Sequence, residues 1–139
     1  MSALKEQIIA ALNGGGQDDV CELFIQAQGL DFSGIEISDI ELADTQLKEL
    51  SFSGAKFSRV VFAESRIAQC DFRGAVFEDC VFENCTIMNC VFDKARFNAP
   101  IMRACRFDDI SAVFSVFGEK TAISDCVFSS CRLDGCSFE

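Results

Sequence analysis

The chain contains no histidine, no tryptophan, no tyrosine and a single proline. Without histidine, general acid–base chemistry falls to carboxylates or lysine held in a cleft, and the usual zinc-ligand sets lose a principal donor. No run of eighteen apolar residues occurs, so no membrane-spanning helix is expected. The opening stretch MSALKEQIIAALNGG carries one lysine and then Glu6, without a long apolar run, and lacks the shape of a secretory signal. The nine cysteines are therefore expected to be reduced, in a cytoplasm.

What is present is unusual in its own way. Half of the 139 residues are apolar, fifteen of them phenylalanine, and the net charge is −10. The length suits one domain with a sizeable core. The acidic excess disfavours direct binding to nucleic acid or to an anionic membrane, both of which want basic patches. It fits a basic protein partner, or competition with nucleic acid for one.

The dominant signal is a period of five. From Phe32 to Phe107 every fifth residue is large and apolar, sixteen in succession, ten of them phenylalanine. In a half-apolar chain such a run has a chance of about one in 10^5. Neither a helix nor a flat strand has this period, so a repeating turn must bring every fifth side chain inward. Two places before each centre stands an uncharged residue, small in the middle of the chain: Ala55, Ser65, Cys70, Ala75, Cys80, Cys85 and Cys90. The other three positions carry nearly all the charge. Each five-residue unit thus places two side chains inside and three outside.

Units such as Cys70-Asp71-Phe72-Arg73-Gly74 and Cys80-Val81-Phe82-Glu83-Asn84 resemble those of the pentapeptide-repeat proteins, whose loose consensus is A(D/N)LXX. The resemblance spans about residues 30–139. It implies an all-β fold, a right-handed quadrilateral parallel β-helix with four units per coil. Gly34, Gly54 and Gly74 independently recur at a spacing of twenty, as a stacked corner using the same permissive residue would. The beat slips once: Phe107 to Ile123 spans three units plus one residue, which places a bulged corner near Gly118-Glu119-Lys120.

The first 28 residues break the pattern. Ser2 is suited to cap a helix carrying Leu4, Ile8, Ile9 and Leu12, stopped by Asn13-Gly14-Gly15-Gly16; Asp19 and Glu22 make a capping box for a second. A solenoid end exposes apolar side chains and strand edges. Residues 1–28 are read as a helical cap on a solenoid of residues 29–139, about 5.5 coils long.

Eight of the nine cysteines, all but Cys21, hold the small inward position, where a buried thiol serves as a compact hydrophobe. The competing use is metal binding. Four-residue gaps without histidine or a paired C-x2-C are poor zinc signatures, and core filling is the expectation. Stacking by twenty residues sets Cys70 beside Cys90 and Cys85 beside Cys105, within backbone reach of a disulfide, but inward rotamers in a reducing cell oppose one.

No catalytic pattern emerges. Gly118-Glu119-Lys120-Thr121 interposes Glu119 where a phosphate loop needs glycine followed by lysine, and no nucleophile elbow occurs. Neither enzyme activity nor a cofactor is expected.

Sorted by side, the residues just before the centres make one apolar stripe: Val61, Val81 and Ile101, between Glu41 and Ala122. Equivalent positions on other sides carry Lys56, Arg66, Asp71, Arg96 and Arg106. The stripe reads either as strand preference for β-branched residues or as a docking face for another protein. The final coil, finishing on Leu133 and Phe138, is the candidate contact of an end-to-end homodimer. The favoured reading is a non-enzymatic scaffold that binds a protein partner. The alternative follows from the resemblance, which includes quinolone-resistance proteins that imitate duplex DNA and bind DNA gyrase. Residues 31–139 hold 18 acids and 11 bases, whereas duplex of similar length, ~26 Å, carries ~15 phosphate charges. The functional residues of those relatives have no matching positions here.

Overall fold

The computed structural model describes residues 3–14 and 17–139, without the side chains of 17–19. Ser2, Gly15, Gly16 and the Asp19 side chain, invoked above for caps and a turn, lie outside the described residues.

From Asp31 onward the chain winds as a parallel β-solenoid whose coils stack in register. The six strands Glu36–Ser38, Lys56–Ser58, Val76–Glu78, Arg96–Asn98, Val116–Phe117 and Ser137–Phe138 form the first sheet. The second, of five strands, runs from Glu41–Ala43 through Val61–Ala63, Val81–Glu83 and Ile101–Arg103 to Ala122–Ser124. The third comprises Gln46–Lys48, Arg66–Ala68, Thr86–Met88, Arg106–Asp108 and Val127–Ser129. The fourth side is held by single bridges, Asp31 to Ser51 to Asp71 to Val91 to Ser111 to Arg132.

The period of five follows from the corner. Each three-residue strand points its middle side chain inward, and the residue two places after the centre turns the chain in the left-handed region: Asp39 at φ 57°, Asp44 at 51°, Asn84 at 52°, Asn89 at 53°. Asp and Asn bear that conformation best among residues with a side chain. Beside the fourth side the corner closes into a β-turn. Ile35 N–H donates to Phe32 O at 3.1 Å and Ala55 N–H to Phe52 O at 3.0 Å, with Gly34 and Gly54 in the third place at φ 74° and 67°. A turn of this kind asks for φ > 0 there, which accounts for glycine at a spacing of twenty.

Phenylalanine suits the lumen because stacked coils put like on like. Phe57 and Phe77 lie 4.9 Å apart with ring planes 5° from parallel, Phe77 and Phe97 4.8 Å and 4°. Those separations equal the ~4.8 Å between hydrogen-bonded strands. The pairing offset is twenty residues as far as Phe97 to Phe117, and twenty-one from Ile101 to Ala122 onward. The extra residue therefore sits between Phe117 and Ala122, where the Thr121 hydroxyl donates to Gly118 O at 2.6 Å.

Two helices, α1 (Ala3–Gly14) and α2 (Gln17–Ile25), cover one end of the lumen. Ile8, Val20, Phe24 and Ala27 are buried, and the Phe24 ring meets Phe32 edge-on at 5.5 Å. The Thr45 hydroxyl pins α2 by donating to Cys21 O at 2.6 Å. At the other end the centres Ile123, Phe128, Leu133 and Phe138 are exposed, unlike the buried centres they stack on. Among the described residues no helix is long and apolar enough to cross a membrane.

Candidate functional site: the outer face of the second sheet

Side chains that reach solvent come from the flanks of each strand and from the corners. On the second sheet, Glu41, Val61, Val81, Ile101 and Ala122 are paired one above the next, so the apolar stripe is a true ladder with one rung per coil. Val61 and Val81 are half-buried by their neighbours in adjacent coils, and Ile101 is 46% exposed. The parallel column on the same face holds Ala43, Ala63, Glu83, Arg103 and Ser124. Its two alanines are half-buried and lie beside Val61.

Valine also appears on the other sides, at Val76, Val91, Val116 and Val127, but each column there is interrupted. Val76 stands between Lys56 and Arg96, and Arg106 is followed by Val127 only in the last coil. Continuity distinguishes the second sheet, not the presence of valine.

The borders of the ladder are acidic. Asp39 and Asp79 occupy the corner before it, Asp44 and Glu64 the corner after, and Glu41 and Glu83 the face itself. The cations nearby are engaged: Arg59 forks onto Asp39, with its second bond at 3.0 Å, and Arg103 bonds Glu83. The Arg59 guanidinium holds the Asp39 carboxyl below its ordinary value. Charge is also unevenly distributed along the rod. Residues 1–49 contain ten acids and two bases, residues 50–139 twelve and ten. Within the solenoid the first coil is the most acidic, residues 31–49 holding six acids and one base.

The inward cysteines have a more specific task than filling space. Cys70, Cys80, Cys85, Cys90 and Cys105 are buried, and each thiol lies against two main-chain oxygens, one two residues back and one in the coil before. Cys85, for example, reaches Phe62 O at 3.2 Å and Glu83 O at 3.4 Å. Ser65, directly below it in the stack, does the same with Leu42 O and Ala63 O at 3.1 and 2.9 Å. Burial pushes the Cys80 thiol up to about 11, far from a reactive thiolate at neutral pH. No disulfide joins any of the cysteines among the described residues.

One exposed group escaped the reading of the repeat. Phe114 is 61% exposed, in the left-handed corner position at φ 58°, with its ring over Gly135. Its signal was visible only as an aromatic off the beat of five. Leu133 and Phe138, expected at a homodimer contact, are 44% and 64% exposed at the open end. Behind that end an apolar cavity of about 30 Å³, lined by Phe107, Phe117, Phe128 and Leu133 among others, offers no polar partner to a water.

Residues 42–86 match the family model described as pentapeptide repeats, in nine copies. That stretch consists of pentapeptide repeats, and the fold of the chain is the parallel β-solenoid which the resemblance implied. Solved structures bear the fold out. Two trypsin-treated variants of QnrB1, a plasmid-mediated fluoroquinolone resistance protein, superpose on it with TM-scores of 0.53 and 0.52 at 16% and 15% identity. They cover 78% of this chain and 70% and 69% of their own. No curated protein matches the sequence.

Proposed function

We propose that this protein is a non-enzymatic, rigid solenoid that docks another protein on the outer face of its second sheet. The observation that carries this reading is the continuous apolar ladder Val61, Val81 and Ile101, on the one side where no charge interrupts it between Glu41 and Ala122. Contiguous apolar surface on a protein with −10 net charge is expensive to leave in water, and on other proteins marks contact sites. A solenoid stitched coil to coil suits the role, because it presents rungs at fixed spacing with little ordering cost on binding. The test is affinity capture from a lysate with the wild-type chain and with V61S/V81S/I101S, both checked for folding by circular dichroism. Partners held by the first and lost by the second support the face; equal capture sinks it.

Self-association is part of the proposal. Leu133 and Phe138 at the open end fit an end-to-end contact with a second copy, the two faces related by a twofold axis. Sedimentation of the wild type against L133K/F138K decides it: a dimer converted to monomer supports the contact, and a wild-type monomer at high concentration removes it.

The alternative is a DNA-imitating inhibitor of gyrase, for which the shared fold with QnrB1 is the motive. The charge pattern favours it less. An imitation of duplex wants acid spread evenly along the rod, whereas residues 50–139 hold twelve acids against ten bases. A gyrase supercoiling assay across salt, with and without a quinolone, separates the two; salt-sensitive inhibition or drug protection at low stoichiometry would displace the scaffold reading.

A further inference from the structure

We propose that the occupant of this face is a basic amphipathic α-helix of the partner, lying along the solenoid axis with its apolar stripe on Val61, Val81 and Ile101. The inference rests on the docking-face reading above and specifies its ligand.

Spacing is the first argument. The ladder repeats once per coil, and on this side the coil repeat is the 4.7 Å between the Phe62 and Phe82 rings directly behind it. An α-helix presents the same face every ~5.4 Å. Over the two intervals between Val61 and Ile101 the mismatch accumulates to about 1.4 Å, within the reach of leucine or methionine side chains. An extended strand repeats its face every ~6.7 Å and a polyproline helix every ~9 Å, and both lose register by the second rung.

Chemistry agrees with geometry. Strand addition is excluded at this face, since it offers side chains, and the backbone groups behind them are committed to the coils above and below: Val61 N–H to Ile40 O at 3.0 Å, Val81 N–H to Val60 O at 3.0 Å, Ile101 N–H to Cys80 O at 3.0 Å. The small side chains of Ala43 and Ala63 beside Val61 put no bulk in the way of a helix there. Around it carboxylates outnumber cations: Asp39 and Asp79 before the ladder, Glu41 at its head, and Asp44, Glu64 and Glu83 after, against Arg59 and Arg103. The two arginines beside them are held by Asp39 and Glu83. A helix with lysine or arginine flanking an apolar stripe complements that border, and an acidic helix is repelled by it.

The experiment uses the full chain and three fluorescein-labelled synthetic peptides of about 18 residues. One has leucine at every helical turn with lysine flanks, one replaces lysine by glutamate, and one scrambles the first so that its leucines share no face. Anisotropy gives affinity, and amide chemical-shift mapping gives location. The proposal expects the lysine peptide to bind on the second sheet, at least about tenfold tighter than either control. V61S/V81S/I101S and E41K/E64K/D79K should each weaken it by about tenfold or more, only the latter altering the salt dependence. Equal binding of the scrambled peptide, unchanged binding to the ladder variant, or no binding by any peptide overturns the helical occupant. If the peptides fail while V61S/V81S/I101S still loses captured partners, the docking face stands and only its ligand class falls. If that variant keeps its partners, the face falls too.

Discussion

Phe62 and Phe82, twenty residues apart in sequence, stack with ring centroids 4.7 Å apart and planes 6° from parallel. Phe82 is 2% exposed and also meets Phe77 at 5.7 Å with a tilt of 59°, so each ring is held from its own side and from the next. Phe82→Ala should lower the unfolding free energy by about 3–5 kcal/mol, and Phe138→Ala, at the open end, by no more than ~1 kcal/mol. Urea denaturation of the two variants checks the contrast; similar losses would mean that the lumen is not close-packed.

The Cys85 thiol shares its hydrogen between Phe62 O and Glu83 O, as the Ser65 hydroxyl does with its own pair of carbonyls one coil earlier. Cys85→Ser keeps a donor in a column that already accepts one, and Cys85→Ala removes it. The alanine variant should be the less stable of the two, by about 1 kcal/mol. Parallel denaturation curves measure this, and the reverse order would reduce the thiol to filling.

Gly54 and Gly135 occupy the same corner of different coils, at φ 67° and 70°. A Cβ on Gly54 meets nothing within 4 Å, whereas one on Gly135 comes within 2.4 Å of the Phe114 ring. Gly54→Ala should cost only the left-handed penalty, about 1–2 kcal/mol, as Lys94 already bears that conformation two coils further on. Gly135→Ala should cost more, and the excess should vanish in the Phe114→Ala background. A double-mutant cycle tests the coupling.

Acid should unfold the protein from a predictable pH. Asp39 is depressed by the Arg59 guanidinium and Asp31 by the hydroxyl and N–H of Ser33. At Asp71 burial acts upward, and the bonds from Arg73 outweigh it. A carboxylate with a folded value below its ordinary 3.8 adds stability above that pH and forfeits it as pH falls through 3.8 toward the folded value. The thermal midpoint should therefore be level from about pH 8 to 5 and drop below about 4. Arg59→Gln should make the drop shallower by the share of Asp39. A midpoint insensitive to acid in both proteins would contradict these pairings.

Much of this architecture was legible in residue order. Sixteen large centres in step and an uncharged residue two places before each follow from identical local geometry repeated without interruption, and periodicity reads such geometry directly. Cys85 was placed inside on that ground alone, but its hydrogen bonds to main-chain oxygen were not visible. They depend on where the preceding coil puts Phe62 O. The exposed ring of Phe114 was not legible in residue order, because the offset of twenty-one after Phe117, which sets Gly135 against it, belongs to the stacking.

The sequence by itself determined the coil: five residues per side, two side chains in, three out, with glycine recurring at one bend. These are consequences of backbone sterics and burial within one unit, and they need no knowledge of distant residues. Only the tertiary structure decided which outward side chains stand together. Val61, Val81 and Ile101 become one ladder, bordered by Asp44, Glu64 and Asp79, because parallel hydrogen bonding brings residues twenty apart to strand-pairing distance. Interaction surfaces depend on that distance, and separation along the chain does not reveal it.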